Sequence, residues 1–160
     1  MKNPTTFTSA AGTGGRIIAA RIIPGQDIIE TLEDICRRYD IKYGHISSAI
    51  GSLRRVSLNI VTRTTPIPGS GHMTHIEREG PYCLLSGQGL ISPGAKPDSF
   101  DIHLHIAVRG DTDPVMGGHV EIGTITLSTT EFFIHEVHGV KITRKVDEVV
   151  GMPMTTFEQV

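Results

Sequence analysis

Two stretches of the chain alternate strictly between apolar and polar residues. From Phe100 to Val108, the side chains of Phe100, Ile102, Leu104, Ile106 and Val108 share one face, and Asp101, His103, His105 and Ala107 share the other. A period of two is that of a strand with one buried side. The alternation resumes from His119 to Leu127, with Val120 and Ile122 opposite His119 and Glu121. A third pattern has helical spacing: Ile28, Leu32, Ile35, Cys36 and Tyr39 recur behind Asp27-x-x-Glu30, which reads as a capping box with Asp as the cap. Residues 16–23 are rich in β-branched side chains and end at Pro24-Gly25, a strand followed by a turn. Residues 45–61 and 82–91 also read as strands, the first interrupted near Gly51-Ser52. A Thr/Pro/Gly-rich loop spans 62–71, and residues 131–146 read as a final hairpin turning near Gly139.

Runs of strands with one clear helix imply an α+β domain, a largely antiparallel β-sheet flanked by helices. The 160 residues suit one domain. Its expected extent is 16–150, with a flexible leader over 1–15 and a C-terminal tail over 151–160. Gly87 and Gly89 lie inside a strand pattern with no helix or Lys after them, so they predict a bulge or a close backbone approach rather than a phosphate loop.

Charge and composition narrow the function classes. The 15 Lys and Arg are outnumbered by 17 Asp and Glu, and the chain has no Trp. A free-standing DNA binder needs a basic excess, and a single-strand binder needs stacking aromatics. No apolar run is long enough for a membrane span, and residues 1–15 lack the apolar core of a secretory signal, so a cytoplasmic location is expected. Cys36 and Cys83 lack CxxC spacing and read as two reduced core thiols.

The histidines carry the candidate chemistry. His103-x-His105 on a strand places two imidazoles on one face, about 7 Å apart along the chain. His119 joins them if the two alternating segments pair as antiparallel neighbours. Three His ligands leave one position of a tetrahedral ion open, as catalytic sites do. Imidazole suits zinc best, with iron, nickel and copper also compatible. Glu121, two residues along the same face, could orient a ligand, act as a base or fill the fourth position. His72 and His75 read as solvated loop residues. His135 and His138 read as sheet residues, since the HEVH spacing is not the helical HExxH motif. His45 has no evident partner.

These motifs, together with Arg21-Ile22-Ile23-Pro24-Gly25, Ser48-Ala49-Ile50-Gly51-Ser52-Leu53 and Leu84-Leu85-Ser86-Gly87, resemble the plants and prokaryotes conserved domain in its stand-alone prokaryotic form. The resemblance covers roughly residues 16–149. His103-Leu104-His105 and Gly117-Gly118-His119 are its most specific parts. It implies a homotrimer and an architecture similar to acetolactate decarboxylase, an enzyme that holds zinc with three histidines in a similar order. It also implies a DNA-binding or regulatory role as the alternative, by likeness to plant relatives that carry AT-hooks. This chain has no Arg-Gly-Arg-Pro segment, has Gln26 where the family often has Glu, and has Cys83 before its Leu-Ser-Gly segment. The expectation is therefore a metal-binding protein, possible as a lyase-like enzyme or as a small-molecule binder, with DNA association second and no membrane partner.

Overall fold

The computed structural model describes residues 7–160. Strands β1 (Thr13–Ile22), β2 (Gly44–Thr64), β3 (Gly71–Pro93), β4 (Phe100–Arg109), β5 (Met116–Val120) and β6 (Ile125–His138) form one sheet in the order β1-β6-β2-β3-β4-β5. All the pairings are antiparallel. The edge of β2 away from β3 is shared. Its first half pairs with β6, and Leu58 and Asn59 pair with Val120 and His119 of β5. The sheet thereby closes on itself through β2, β3, β4 and β5. Strands β7 (Val140–Val146) and β8 (Pro153–Gln159) make a separate two-stranded sheet.

Helix α1 (Ile28–Tyr39) starts as the sequence predicts. The Asp27 carboxylate accepts from the backbone N–H of Ile29 and Glu30, and its other oxygen accepts from Gly123 N–H. One side chain thus satisfies two orphan amides of the first turn and ties the helix to the loop before β6. Asp40 closes the helix in the left-handed region, at φ 50°. Ile28, Ile29, Leu32 and Cys36 are buried against the sheet's inner face, where Ile18, Ile46, Leu53, Leu84, Leu104, Phe132 and Ile134 meet them. Burial pushes the Cys36 thiol up to about 12.

The architecture is mostly β. A single helix, among the described residues, stands where flanking helices were expected. Five further expectations need correction. Residues 131–146 are not a hairpin: β6 and β7 do not pair, because the chain turns at Gly139 (φ 78°) and β7 pairs with β8 instead. Part of the segment read as a tail is therefore strand. The second alternating stretch is not one strand either. Strand β5 stops at Val120, residues 121–124 turn, and Ile122 is exposed rather than in the core. Residues 13–15, read as part of a flexible leader, are strand, since β1 begins at Thr13, and residues 1–6 of that leader lie outside the described residues. Cys83 is exposed, because Leu84 takes the inward place on β3.

Candidate metal centre

Leu104 and Ile106 are buried in the core, so the strand's pleat sends His103 and His105 to its other face. Strand β5 lies alongside with His105 opposite His119, Ile106 opposite Gly118 and Ala107 opposite Gly117. The two glycines make this close packing possible. A Cβ on Gly117 would collide with the carbonyl of Ile106 on β4, and one on Gly118 with the carbonyl of Asn59 on β2. Only a residue without a side chain fits between the two backbones.

The three imidazoles converge. Ring centroids are 5.0 Å apart for His103 and His105, 5.1 Å for His103 and His119, and 5.4 Å for His105 and His119. One nitrogen from each lies within 4.8 Å of the others, and His103 Nε2 stands 3.1 Å from His105 Nε2. Metal–nitrogen bonds of about 2.0–2.1 Å in a tetrahedral site put ligand nitrogens roughly 3.3 Å apart. The first pair is already at that spacing, and small side-chain rotations bring in the third.

The protonation state fits a ligand set. Burial, then Arg144, His119 and His105, push His103 down to about 4. Burial followed by Arg144 lowers His105, and burial lowers His119 although Glu121 opposes it. Each shift favours the neutral imidazole, the form that coordinates. His119 Nδ1 is buried with no hydrogen-bond partner among the described residues. An ion or an ion-bound group would satisfy such a nitrogen. The three histidines could therefore hold one metal ion.

Around them lies a further set of polar residues, of which sequence reasoning found Glu121 alone. Glu121 Oε1 is 3.6 Å from His119 Nε2 and accepts a hydrogen bond from the Asn59 amide. Asn59 Oδ1 lies 3.0 Å from His75 Nδ1, and His75 Nε2 lies 3.5 Å from Glu77, which accepts from Arg55. His75 is thus a strand residue tied into a side-chain chain, although it is solvent-exposed as expected. Arg144 of β7 donates from Nη1 to Asp101 at 3.3 Å, with 17% of its side chain exposed. A cavity of about 690 Å³ takes in His103, His105, His119, Glu121, Asn59 and Arg144. The other histidines stay apart. His45 stacks on its cross-strand partner His135 with centroids 4.8 Å apart, and His138 lies 3.5 Å from Glu136.

The model of one protein family, the Plants and Prokaryotes Conserved (PCC) domain, matches residues 9–138, well over half of the chain. The chain belongs to this family. The PCC match contains all three histidines, Glu121 and Asn59, and it ends before Arg144. The curated protein GlmU of Synechococcus sp. (strain JA-3-3Ab), described as bifunctional, is 26% identical over 145 residues, which are 91% of this chain and 21% of that protein. The chain spans about a fifth of that relative's length. Among solved structures, a metal-containing protein from Archaeoglobus fulgidus superposes with a TM-score of 0.75 at 22% identity, covering 92% of this chain and 98% of that one. A plant- and prokaryote-conserved protein from Pyrococcus horikoshii gives 0.74 at 22% identity, covering 96% and 99%. A candidate DNA-binding protein from Bacteroides thetaiotaomicron gives 0.72 at 19% identity, covering 92% and 99%. Identities this low establish the shared fold alone.

Proposed function

We propose that this PCC domain holds one divalent transition-metal ion, zinc being the best match, through His103, His105 and His119. It presents that ion to a small molecule. The observation that carries the reading is the convergence of three imidazoles on one cavity. When bound, such an ion polarises a coordinated oxygen or acidifies a bound water. The chain's own residues supply the rest. Glu121 is held by the Asn59 amide with its carboxylate 3.6 Å from His119, so it has a fixed place from which to take or return a proton. Glu121 is the proposed acid–base residue. A lyase-like enzyme and a small-molecule binder are the two forms this takes. The resemblance of the sequence motifs to those of acetolactate decarboxylase, and not any comparison of structures, is what favours the first.

Isothermal titration of the metal-free protein with zinc tests the proposal. One ion per chain in the wild type and none at the same affinity in a His103→Ala/His105→Ala double variant is the expected result. Equal zinc uptake by both would place the ion elsewhere.

A homotrimer belongs to the same reading. Ile17, Ile50, Leu85 and Phe133 are exposed on β1, β2, β3 and β6. Each neighbours a buried residue of its own strand (Ile18, Ala49, Leu84 and Phe132), so they all point away from the core. An apolar outer face of this kind suits contact with further copies of the chain. We also assign a cytoplasmic location. No helix of the described residues is long and apolar enough to cross a membrane.

A second reading, DNA association or regulation, is favoured by the candidate DNA-binding relative of the same fold. The net charge of −2 weighs against it, because phosphate neutralisation carries most nonspecific affinity. A duplex-DNA mobility shift that weakens with salt would support it.

A further inference from the structure

Arg144 is a cation on the lining of the cavity, and a cation does not fit a purely metal-holding role. It comes from β7, beyond the residues that match the family, and reaches the cavity wall shared by His103, His105, His119 and Glu121. Its Nη1 is engaged by Asp101. Its Nε is buried and has no hydrogen-bond partner among the described residues. A guanidinium presents its donors in a planar fork, and the edge formed by Nε and Nη2 is the one that Asp101 leaves unused. A buried donor left unsatisfied is costly, so a partner is expected there.

The surrounding charge says what kind of partner. Arg144 adds a positive charge beside the three histidines, and a divalent ion would add two more, against the two carboxylates of Glu121 and Asp101. A neighbouring cavity of about 710 Å³ shares His119, Glu121 and Arg144 and adds Lys96, Lys141 and Lys145 to its lining. Lys141 is paired with Glu158, which leaves Lys96 and Lys145 as further cations. A guanidinium on the lining of a site of net positive charge, with its Nε unpaired, matches an oxyanion, whose two oxygens accept two parallel N–H groups together.

The geometry points to Arg144 as the anchor for an oxyanion group, carboxylate or phosphate, on a small ligand whose other end reaches the metal. This deepens the metal reading and rests on it. The residues that hold the ion come from the family's shared sheet, and the residue that selects the ligand comes from this chain's β7–β8 hairpin, which also contributes Met152 and Pro153 to the cavity.

Cobalt(II) in place of zinc gives visible absorption bands that report a ligand entering the open position, independently of turnover. Malonate, succinate and glutarate can bridge ion and Arg144 by two carboxylates; acetate, propionate and butyrate can reach only the ion. The wild type should bind at least one diacid about tenfold or more tighter than the matched monoacids, the scale of a charge-assisted contact. Arg144→Met should lose that preference while keeping one cobalt per chain and unchanged bands without ligand. Arg144→Lys keeps the charge but not the fork, and should retain a part of the preference. Phosphonoacetate beside malonate tells whether the anchored group is phosphate-like or carboxylate. If Arg144→Met and Arg144→Lys bind cobalt normally and keep the full diacid preference, the anchor assignment is overturned. If the wild type takes up no cobalt, it is the metal reading that fails.

Discussion

His105 on β4 stands directly opposite His119 on β5, with ring centroids 5.4 Å apart. Nothing in the local sequence of either strand produces this contact. It follows from the register between them, and that register depends on how closely β5 can approach β4 and β2 at once.

The two glycines before His119 are therefore expected to be intolerant of substitution. Gly117→Ala would drive a methyl group into the Ile106 carbonyl. The cost in stability should be about 1–3 kcal/mol, as for other overpacked sites. The midpoint of urea unfolding checks this, and zinc affinity should fall with it because His119 moves with the strand.

Asn59 is expected to act on the ion without touching it. Asn59→Leu removes the donor to Glu121 and the acceptor facing His75. Loss of an outer-layer partner commonly lowers metal affinity about 10–100-fold. Competition against a chelator of known strength should show a drop in that range with the stoichiometry unchanged. An unaltered affinity would mean that Glu121 needs no support from β2.

The Glu136–Arg16 pair gives a dependence on pH. Glu136 accepts from Arg16 at 2.9–3.2 Å, and hydrogen bonding from Arg16 holds its carboxyl down to about 2 against the opposing effect of burial. A carboxyl held below its ordinary value contributes stability that is complete above that value, here 4.5, and lost as pH falls toward the folded one. Glu136→Gln should therefore be less stable than the wild type at pH 7, and the difference should close as the pH is lowered through 4.5 toward 2. His138, 3.5 Å away, also faces Glu136, so His138→Ala is the control. Urea unfolding along the pH series reads both.

Phe133 tests the outer face. The ring is 47% exposed in the isolated chain. If this face is where copies meet, Phe133→Lys buries a charge at the contact and should shift the assembly toward monomer in light scattering after gel filtration, with zinc still bound. A trimer of undiminished stability would move the contact elsewhere.

Much of the site was legible because β4 announces itself. Strict alternation from Phe100 to Val108 fixes which face His103 and His105 occupy, and the parity of His119 against Val120 puts it on the same polar face. The same logic failed at Ile122. Its parity looks like a continuation of β5, but the turn at residues 121–124 breaks the strand, and alternation alone does not record where pairing stops. His119 nevertheless keeps its place, because it precedes the break. Asn59 and Arg144 were not legible. Asn59 matters only because β2 is long enough to meet β5 beyond the end of β6, and Arg144 because β7 leaves β6 at Gly139 and folds with β8. Both are facts of long-range register, which no short window of sequence contains. The helix was readable to its first residue since Asp27 caps it within the same few residues.

The central claim is that three histidines from two paired strands hold one ion. Elemental mass spectrometry of the purified, tag-free protein beside its His119→Ala variant tests it most directly. The account predicts about one transition-metal ion per chain, lost in the variant while the fold persists by circular dichroism. No ion in the wild type after zinc or iron is added back, or full occupancy in the variant, would contradict it.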